Sequence, residues 1–222
     1  MDRNVCRAPH RPAGRQRRTT GLGRGMDHQP LGDDALAQLF TAARTFNSWS
    51  DRRVDEATVR QLYALVSQGP TAANSHPARF VFLRSAAARE RLRPHLSAGN
   101  VDKTMAAPCC VIVAYDTRFY EYMPQLFPDR DFSATFAGKD AVIADTATRS
   151  STLAGAYLIL AARALGLDTG PMSGFNAETL NADFFPDGRW KANFLCNIGY
   201  GTQEKLFPRN PRLAFEQACL DL

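Results

Sequence analysis

The chain predicts an α+β domain, on three observations. Apolar residues recur at helical spacing in several segments, one of them far longer than the rest. Among these helical segments lie short continuous apolar runs of strand length. Two stiff segments of small residues bounded by Gly or Pro, at 69–77 and 167–175, join elements of the two kinds.

Taken in order, residues 33–45 read as a helix with Leu36, Leu39, Phe40 and Ala43 on one face. The helix runs into Arg44-Thr45-Phe46-Asn47-Ser48-Trp49, a cluster of donors followed by an aromatic. Asp55 stands where it caps a second helix that turns Val59, Leu62, Tyr63 and Val66 inward. The stretch Gly69-Pro70-Thr71-Ala72-Ala73-Asn74-Ser75-His76-Pro77 follows. Its prolines forbid a helix, its small residues let backbone approach a flat ligand, and Asn74 offers a donor and an acceptor to a heterocycle edge. The same residues also suit an ordinary helix-to-strand loop.

A strand at 79–83, a charged helix at 86–96 and a short helix capped by Asn100 and stopped before Pro108 come next. Residues 109–115 are continuously apolar and predict a strand covered on both faces, with Cys109 and Cys110 acting as small hydrophobes. Residues 119–138 interleave aromatics with Pro, Asp and Arg and show no clean period. They read as a lid, or as a surface loop that tucks in its own aromatics. Residues 140–165 form the longest predicted helix, about 39 Å. Its second half is apolar all round, which requires burial, centrally or against another subunit. After the 167–175 segment come a short helix at 177–185, a strand at 194–201, an irregular stretch with Lys205, Arg209 and Arg212, and a closing helix.

Composition narrows the function. The chain has 222 residues, 45% hydrophobic and 22% charged, ordinary for one globular domain. It lacks a run of about 18 apolar residues, so no membrane partner is expected. Its five cysteines lack zinc spacing, which predicts no metal site and a reducing, cytoplasmic setting. The net charge of +5 is uneven: residues 1–25 hold seven arginines and one acid, +6, which leaves −1 for the rest. This basic stretch reads as a disordered extension and as a start-site artefact before Met26, with the folded domain at 26–222. A phosphate-binding arm and a transit peptide are the other readings. A slightly acidic domain gives no reason to expect nucleic acid as partner. Gly21-Leu22-Gly23-Arg24-Gly25 mimics a dinucleotide fingerprint but follows no strand, and is set aside.

The order of segments resembles the flavin-dependent nitroreductase family over nearly all of residues 30–222. The likeness is carried by 69–74, by Glu90-Arg91-Leu92-Arg93-Pro94, by 164–175 and by Asn197-Ile198-Gly199-Tyr200-Gly201. Within the family it is most like the branch that reduces malonic semialdehyde to 3-hydroxypropanoate in pyrimidine degradation; a broad nitroaromatic or quinone reductase is the alternative. The resemblance implies a mostly antiparallel central sheet flanked by helices, in an intertwined homodimer with FMN at the interface. It also implies NADPH or NADH as electron donor and a small-molecule substrate. By position, Arg44 and Thr45 would contact the ribityl chain or phosphate, and Asn47 the pyrimidine edge. Pro70, Thr71, Ala72 and Asn74 would line the flavin from the partner subunit. Pro171, Met172, Ser173 and Gly174 would stack on the ring and aim an N–H at N5. Lys205 with Arg209, Arg212 or both would hold the phosphate. The chain departs from the family where Asn47 replaces a second basic residue and where Arg209 and Arg212 stand further apart.

A flavin carries hydride chemistry itself, which accords with the lack of an acid/base pair or nucleophile triad in the sequence. His76, beside the proposed site, is a candidate proton donor to an aldehyde oxygen, or else a loop histidine bonded to backbone. Arg79 or Arg118 could supply the cation that an anionic substrate requires.

Overall fold

The computed structural model describes residues 29–222, and the reading of 1–25 as a disordered extension lies outside them. The elements run α1 (Asp33–Leu36), α2 (Glu56–Val66), β1 (Ala78–Leu83), α3 (Ala86–Leu92), α4 (Ala98–Ala106) and β2 (Cys109–Asp116). They continue with α5 (Met123–Leu126), α6 (Ser133–Phe136), α7 (Asp140–Ala164), β3 (Asp168–Met172), α8 (Ala177–Phe184), β4 (Trp190–Gly199) and α9 (Phe215–Ala218).

The four strands form one sheet in the order β1-β2-β4-β3, every neighbouring pair antiparallel. The apolar β2 is central and buried on both faces, as its continuous pattern predicts. Cys109, Val111 and Val113 share one face with Cys196 and Ile198 and pack under α2 and α7. Cys110, Ile112 and Ala114 face the other way, into a cluster with Leu92 and Leu180. Helices therefore cover both faces of an antiparallel sheet. Close approach of α7 requires Gly155, where an added Cβ would lie 2.3 Å from Phe194 Cζ. The end of the sheet is locked by buried Asp116, which accepts from Arg79 Nη2 at 2.8 Å, Arg189 Nε at 3.0 Å and the Arg118 N–H at 2.8 Å.

Several predicted elements need correction. The first helix becomes a π-turn over Ala37–Thr41, with Ala42 N–H bonded back to the Ala37 carbonyl, and ends before Arg44. Asp55 does cap α2, accepting from Thr58 N–H at 2.7 Å, but Tyr63 faces outward beside buried Leu62 and Val66. The charged helix stops at Leu92, where the chain tightens into a 3₁₀ turn over Arg93–His95 and Pro94 supplies no N–H to continue the α-helical bonding. Asn100 lies inside α4, whose N-cap position is Ser97. Residues 168–172, read as a rigid connector, are strand β3. The closing helix shrinks to α9, because among the described residues nothing packs over Leu213, Phe215 and Leu220, and a short helix without packing is marginal. Residues 119–138 bury Phe119 and Phe136 with Ile143 and Ala147 and leave Tyr122 outside. The apolar half of α7 is buried along one side only; Leu153 (50% exposed) and Tyr157 (38%) face out.

Candidate functional site

Two groups of predicted residues are assembled at different places on the sheet. The first forms beside β3. Segment 44–49 lies along the strand end: Phe46 N–H donates to the Thr169 carbonyl at 3.1 Å, and Ser50 N–H to Tyr200 at 2.9 Å. Ser48 and Thr202 bond reciprocally, the Thr202 N–H to the Ser48 carbonyl at 3.0 Å and the Ser48 hydroxyl to the Thr202 carbonyl at 3.1 Å. The contact is too close for side chains opposite. A Cβ at Gly201 would lie 2.1 Å from Phe46 Cδ1, and one at Gly170 would lie 2.8 Å from the Phe46 carbonyl oxygen.

This packing opens a cleft of about 520 Å³ lined by Arg44, Thr45, Asn47, Arg163, Arg209 and Arg212, with Phe207 on its rim. Arg44 donates to the Phe207 carbonyl, and Arg209 Nη2 to the Thr41 and Ala43 carbonyls at 2.8 and 2.9 Å. None of the four arginines has a carboxylate partner among the described residues. Four guanidiniums with no carboxylate at ion-pair distance, Asp168 acting on Arg163 from further off, give the cleft a positive field that suits an anion. Lys205 does not line the cleft; its carbonyl accepts from Asn47 Nδ2 at 3.4 Å, so its backbone helps seat the segment.

The β3 end adds a second wall. The N–H groups of Ser173 and Gly174 have no protein acceptor among the described residues. The Gly174 carbonyl accepts from Ser97 N–H at 3.0 Å and Asn100 Nδ2 at 2.7 Å, fixing the turn. Pro171 is half-buried and Ser173 exposed. Met172 turns inward, with the Thr104 hydroxyl 3.6 Å from its sulfur, so its side chain packs in the core and only its backbone can face a ligand.

Sequence reasoning missed three residues here. Arg163 lies in the last turn of the apolar α7 and enters the arginine cleft. Asn100 and Lys103, three apart on one side of α4, flank the β3 turn. The Lys103 carbonyl accepts from the indole N–H of Trp49 at 3.0 Å and from Asn197 Nδ2 at 3.3 Å. Burial holds the Lys103 ammonium below its ordinary pKa, and no carboxylate pairs with it among the described residues. A lysine three residues after an asparagine in an amphipathic stretch was the available signal.

The second group forms at the start of β1. Thr71 and His76 line a cavity of about 220 Å³ with Tyr63, Arg79, Tyr122 and Gln125, while Pro70, Ala72 and Asn74 are exposed. Ala78 registers with Tyr115 of β2, whereas Thr169 registers through Ile198 with Cys109, six residues away at the other end of β2. Three strand spacings and six residue rises separate Thr169 from Ala78 by about 25 Å, at opposite corners of the sheet. One chain does not bring them together.

The chain belongs to the nitroreductase family, whose model matches residues 15–200. It is 64% identical over 189 residues to a protein of Rhodopseudomonas palustris (strain TIE-1), covering 85% of this chain and 96% of that one. A relative from Ralstonia nicotianae is 58% identical over 189 residues, 85% and 97% of the two chains. Both are provisionally named NADH dehydrogenase/NAD(P)H nitroreductase. Among solved structures, the fold matches a nitroreductase-type protein of Exiguobacterium sibiricum in complex with FMN, with TM-score 0.75, 20% identity and coverage of 87% and 99%. It also matches a protein of Staphylococcus epidermidis described as an NAD(P)H:FMN oxidoreductase, with TM-score 0.76, 19% identity and coverage of 89% and 100%.

Proposed function

We propose that the protein is an FMN-dependent NAD(P)H oxidoreductase that reduces small acceptors such as quinones and nitroaromatics. The observation that carries this reading is the β3 corner, where four arginines with no carboxylate at ion-pair distance face one cleft and two free backbone N–H groups lie beyond it. The residues present fit a flavin mononucleotide: cations for a phosphate, a close-packed backbone wall for a ring, and donors for its polar edge. Arg44, Arg163, Arg209 and Arg212 would hold the phosphate. The N–H groups of Ser173 and Gly174 would orient the ring, and Asn47, Asn100 and Lys103 would serve its pyrimidine edge. When bound, FMN supplies two-electron hydride chemistry between nicotinamide and acceptor. Lys103, short of a counter-ion, gains most where negative charge develops.

The reading includes a homodimer in which loop 69–77 of one chain covers the β3 corner of the other. It is supported by the separation of the two corners, by outward-facing Leu153 and Tyr157, and by the uncovered arm with Leu213, Phe215 and Leu220. A reducing cytoplasm suits the buried thiols of Cys109, Cys110 and Cys196, which are unpaired.

The names of the relatives favour a broad acceptor range. One feature favours a second reading, reduction of malonic semialdehyde to 3-hydroxypropanoate. Arg79 lines the small cavity beside His76, and around it three guanidiniums (Arg79, Arg118, Arg189) share two carboxylates (Asp116, Glu121), which leaves one positive charge for a small acid.

The test is a visible spectrum of the full chain loaded with FMN, followed by anaerobic NADPH and then an acceptor. Bleaching by NADPH and recovery with benzoquinone is the expected result. Recovery with malonic semialdehyde and not with benzoquinone would replace the first reading by the second. A chain that takes up no FMN would end both.

A further inference from the structure

Loop 69–77 carries three non-glycine residues in the left-handed region: Ala73 (φ 49°), Asn74 (φ 52°) and His76 (φ 40°). Such a conformation is costly and persists only where neighbours over-determine it. Here a short chain of hydrogen bonds does so. Asn74 Nδ2 donates to the carbonyl of Leu126, in the aromatic excursion between β2 and α7, at 2.8 Å. That donation fixes the amide's orientation and leaves Asn74 Oδ1 as an acceptor, 2.6 Å from His76 Nε2. His76 therefore carries its proton on Nε2. Its backbone N–H donates to Thr71 Oγ1 at 3.1 Å, which closes the loop on itself.

We infer that His76 is a positioning residue, holding the Asn74 amide against the Leu126 carbonyl, and is not the group that protonates the reduced acceptor. The inference rests on the flavin reading above, in which Asn74 meets the partner's flavin. Burial, reinforced by the nearby Arg79 guanidinium, keeps the His76 imidazole below its ordinary pKa and hence neutral at pH 7. A neutral imidazole whose one N–H is engaged by Asn74 has no free proton to pass on. The contact also ties the loop to the 119–138 excursion.

The experiment compares H76A, H76Q, N74A and the double variant H76A/N74A in the full chain, reading FMN affinity and NADPH-driven benzoquinone reduction. H76A is expected to lower kcat/KM about tenfold, the order of one lost hydrogen bond in a site that needs it. H76Q, whose amide N–H reaches the place of Nε2, recovers to within about threefold. In the N74A background, H76A costs no more than about twofold, because the partner is already gone. H76Q as slow as H76A, an unchanged tenfold cost in the N74A background, or no effect of H76A at all would overturn the inference while leaving the flavin reading in place. Failure of the wild-type chain to take up FMN would overturn that reading and the inference with it.

Discussion

Segments 44–49 and 72–77 are both irregular, and both present polar groups at a corner of the sheet, yet they are held by different means. The first is held by steric closeness: Phe46 lies against Gly201 and Gly170, where no side chain fits, and its backbone continues the hydrogen bonding of the sheet. The second is held by polar side chains across strained backbone, with Asn74, His76 and Thr71 bonding to one another and to Leu126. A corner fixed by packing suits a cofactor that stays. One fixed by a few hydrogen bonds suits contact with substrates that come and go. The difference makes unequal predictions for the same kind of substitution.

The largest expected effect is at the packed corner. Gly201→Ala would place a methyl 2.1 Å from the buried Phe46 ring, which has Trp49 beside it and nowhere to move. We expect a loss of about 3 kcal/mol, at the upper end for overpacking, read as a fall in Tm of about 6–12 °C, together with weakened FMN uptake. Gly69→Ala brings its methyl to 2.9 Å from Tyr157 Cγ, a milder approach than at Gly201 that a shift of a few tenths of an ångström relieves. Its cost should stay below about 1 kcal/mol. Equal losses in thermal unfolding would break the contrast between the two corners.

A smaller effect, but a sharper one, tests whether the corners meet across chains. Arg44→Gln damages only the β3 corner, and Asn74→Ala only the loop. Each variant alone should be slow. If one site takes its β3 corner from one chain and its loop from the other, a mixed dimer holds one doubly damaged site and one intact site. Unfolding and refolding the two variants together in equal amounts should then return about a quarter of wild-type activity, since half the dimers are mixed. Activity no higher than the average of the two variants would place both corners in the site of a single chain.

The fold was largely legible because its main signals are periodic: the apolar β2, the capped α2 and the long α7 each bury what their patterns demand. The misses follow from physics that a pattern does not carry. Strand β3 was hidden by Gly170 and Pro171, which have poor strand propensity but occupy an edge position, where a missing N–H is tolerated. The apolar half of α7 read as buried, centrally or against another subunit, because a sequence does not say which chain covers an apolar residue. At the site, Arg44, Thr45, Asn47, Arg209 and Arg212 could be grouped in advance. Arg163 and Lys103 could not, because each joins the corner only through the crossing of a helix over the sheet. Met172 was expected at the ring, yet alternation along β3 turns its side chain inward.

The smallest expected effect lies just behind the packed corner and concerns Asp168. Its carboxylate accepts from the Gly201 N–H at 2.8 Å, the bond that seats the end of β4. Burial raises its pKa, and this outweighs the Gly201 hydrogen bond and the Arg163 charge, which act in the opposite sense. A carboxyl with a raised folded pKa contributes stability that is full below the ordinary aspartate range and is lost as pH rises through the folded value. At neutral pH the fold therefore carries a charge it would be better without. Asp168→Asn keeps an oxygen for Gly201 and removes that charge. Its unfolding midpoint should be slightly above wild type at pH 7, and the advantage should vanish as pH falls below the ordinary aspartate range, where the carboxyl is protonated in the folded and unfolded chain alike. A variant less stable than wild type at pH 7 would mean that the Arg163 charge, and not burial, governs this position, and that the packed corner depends on an ion pair as the loop corner depends on its hydrogen bonds.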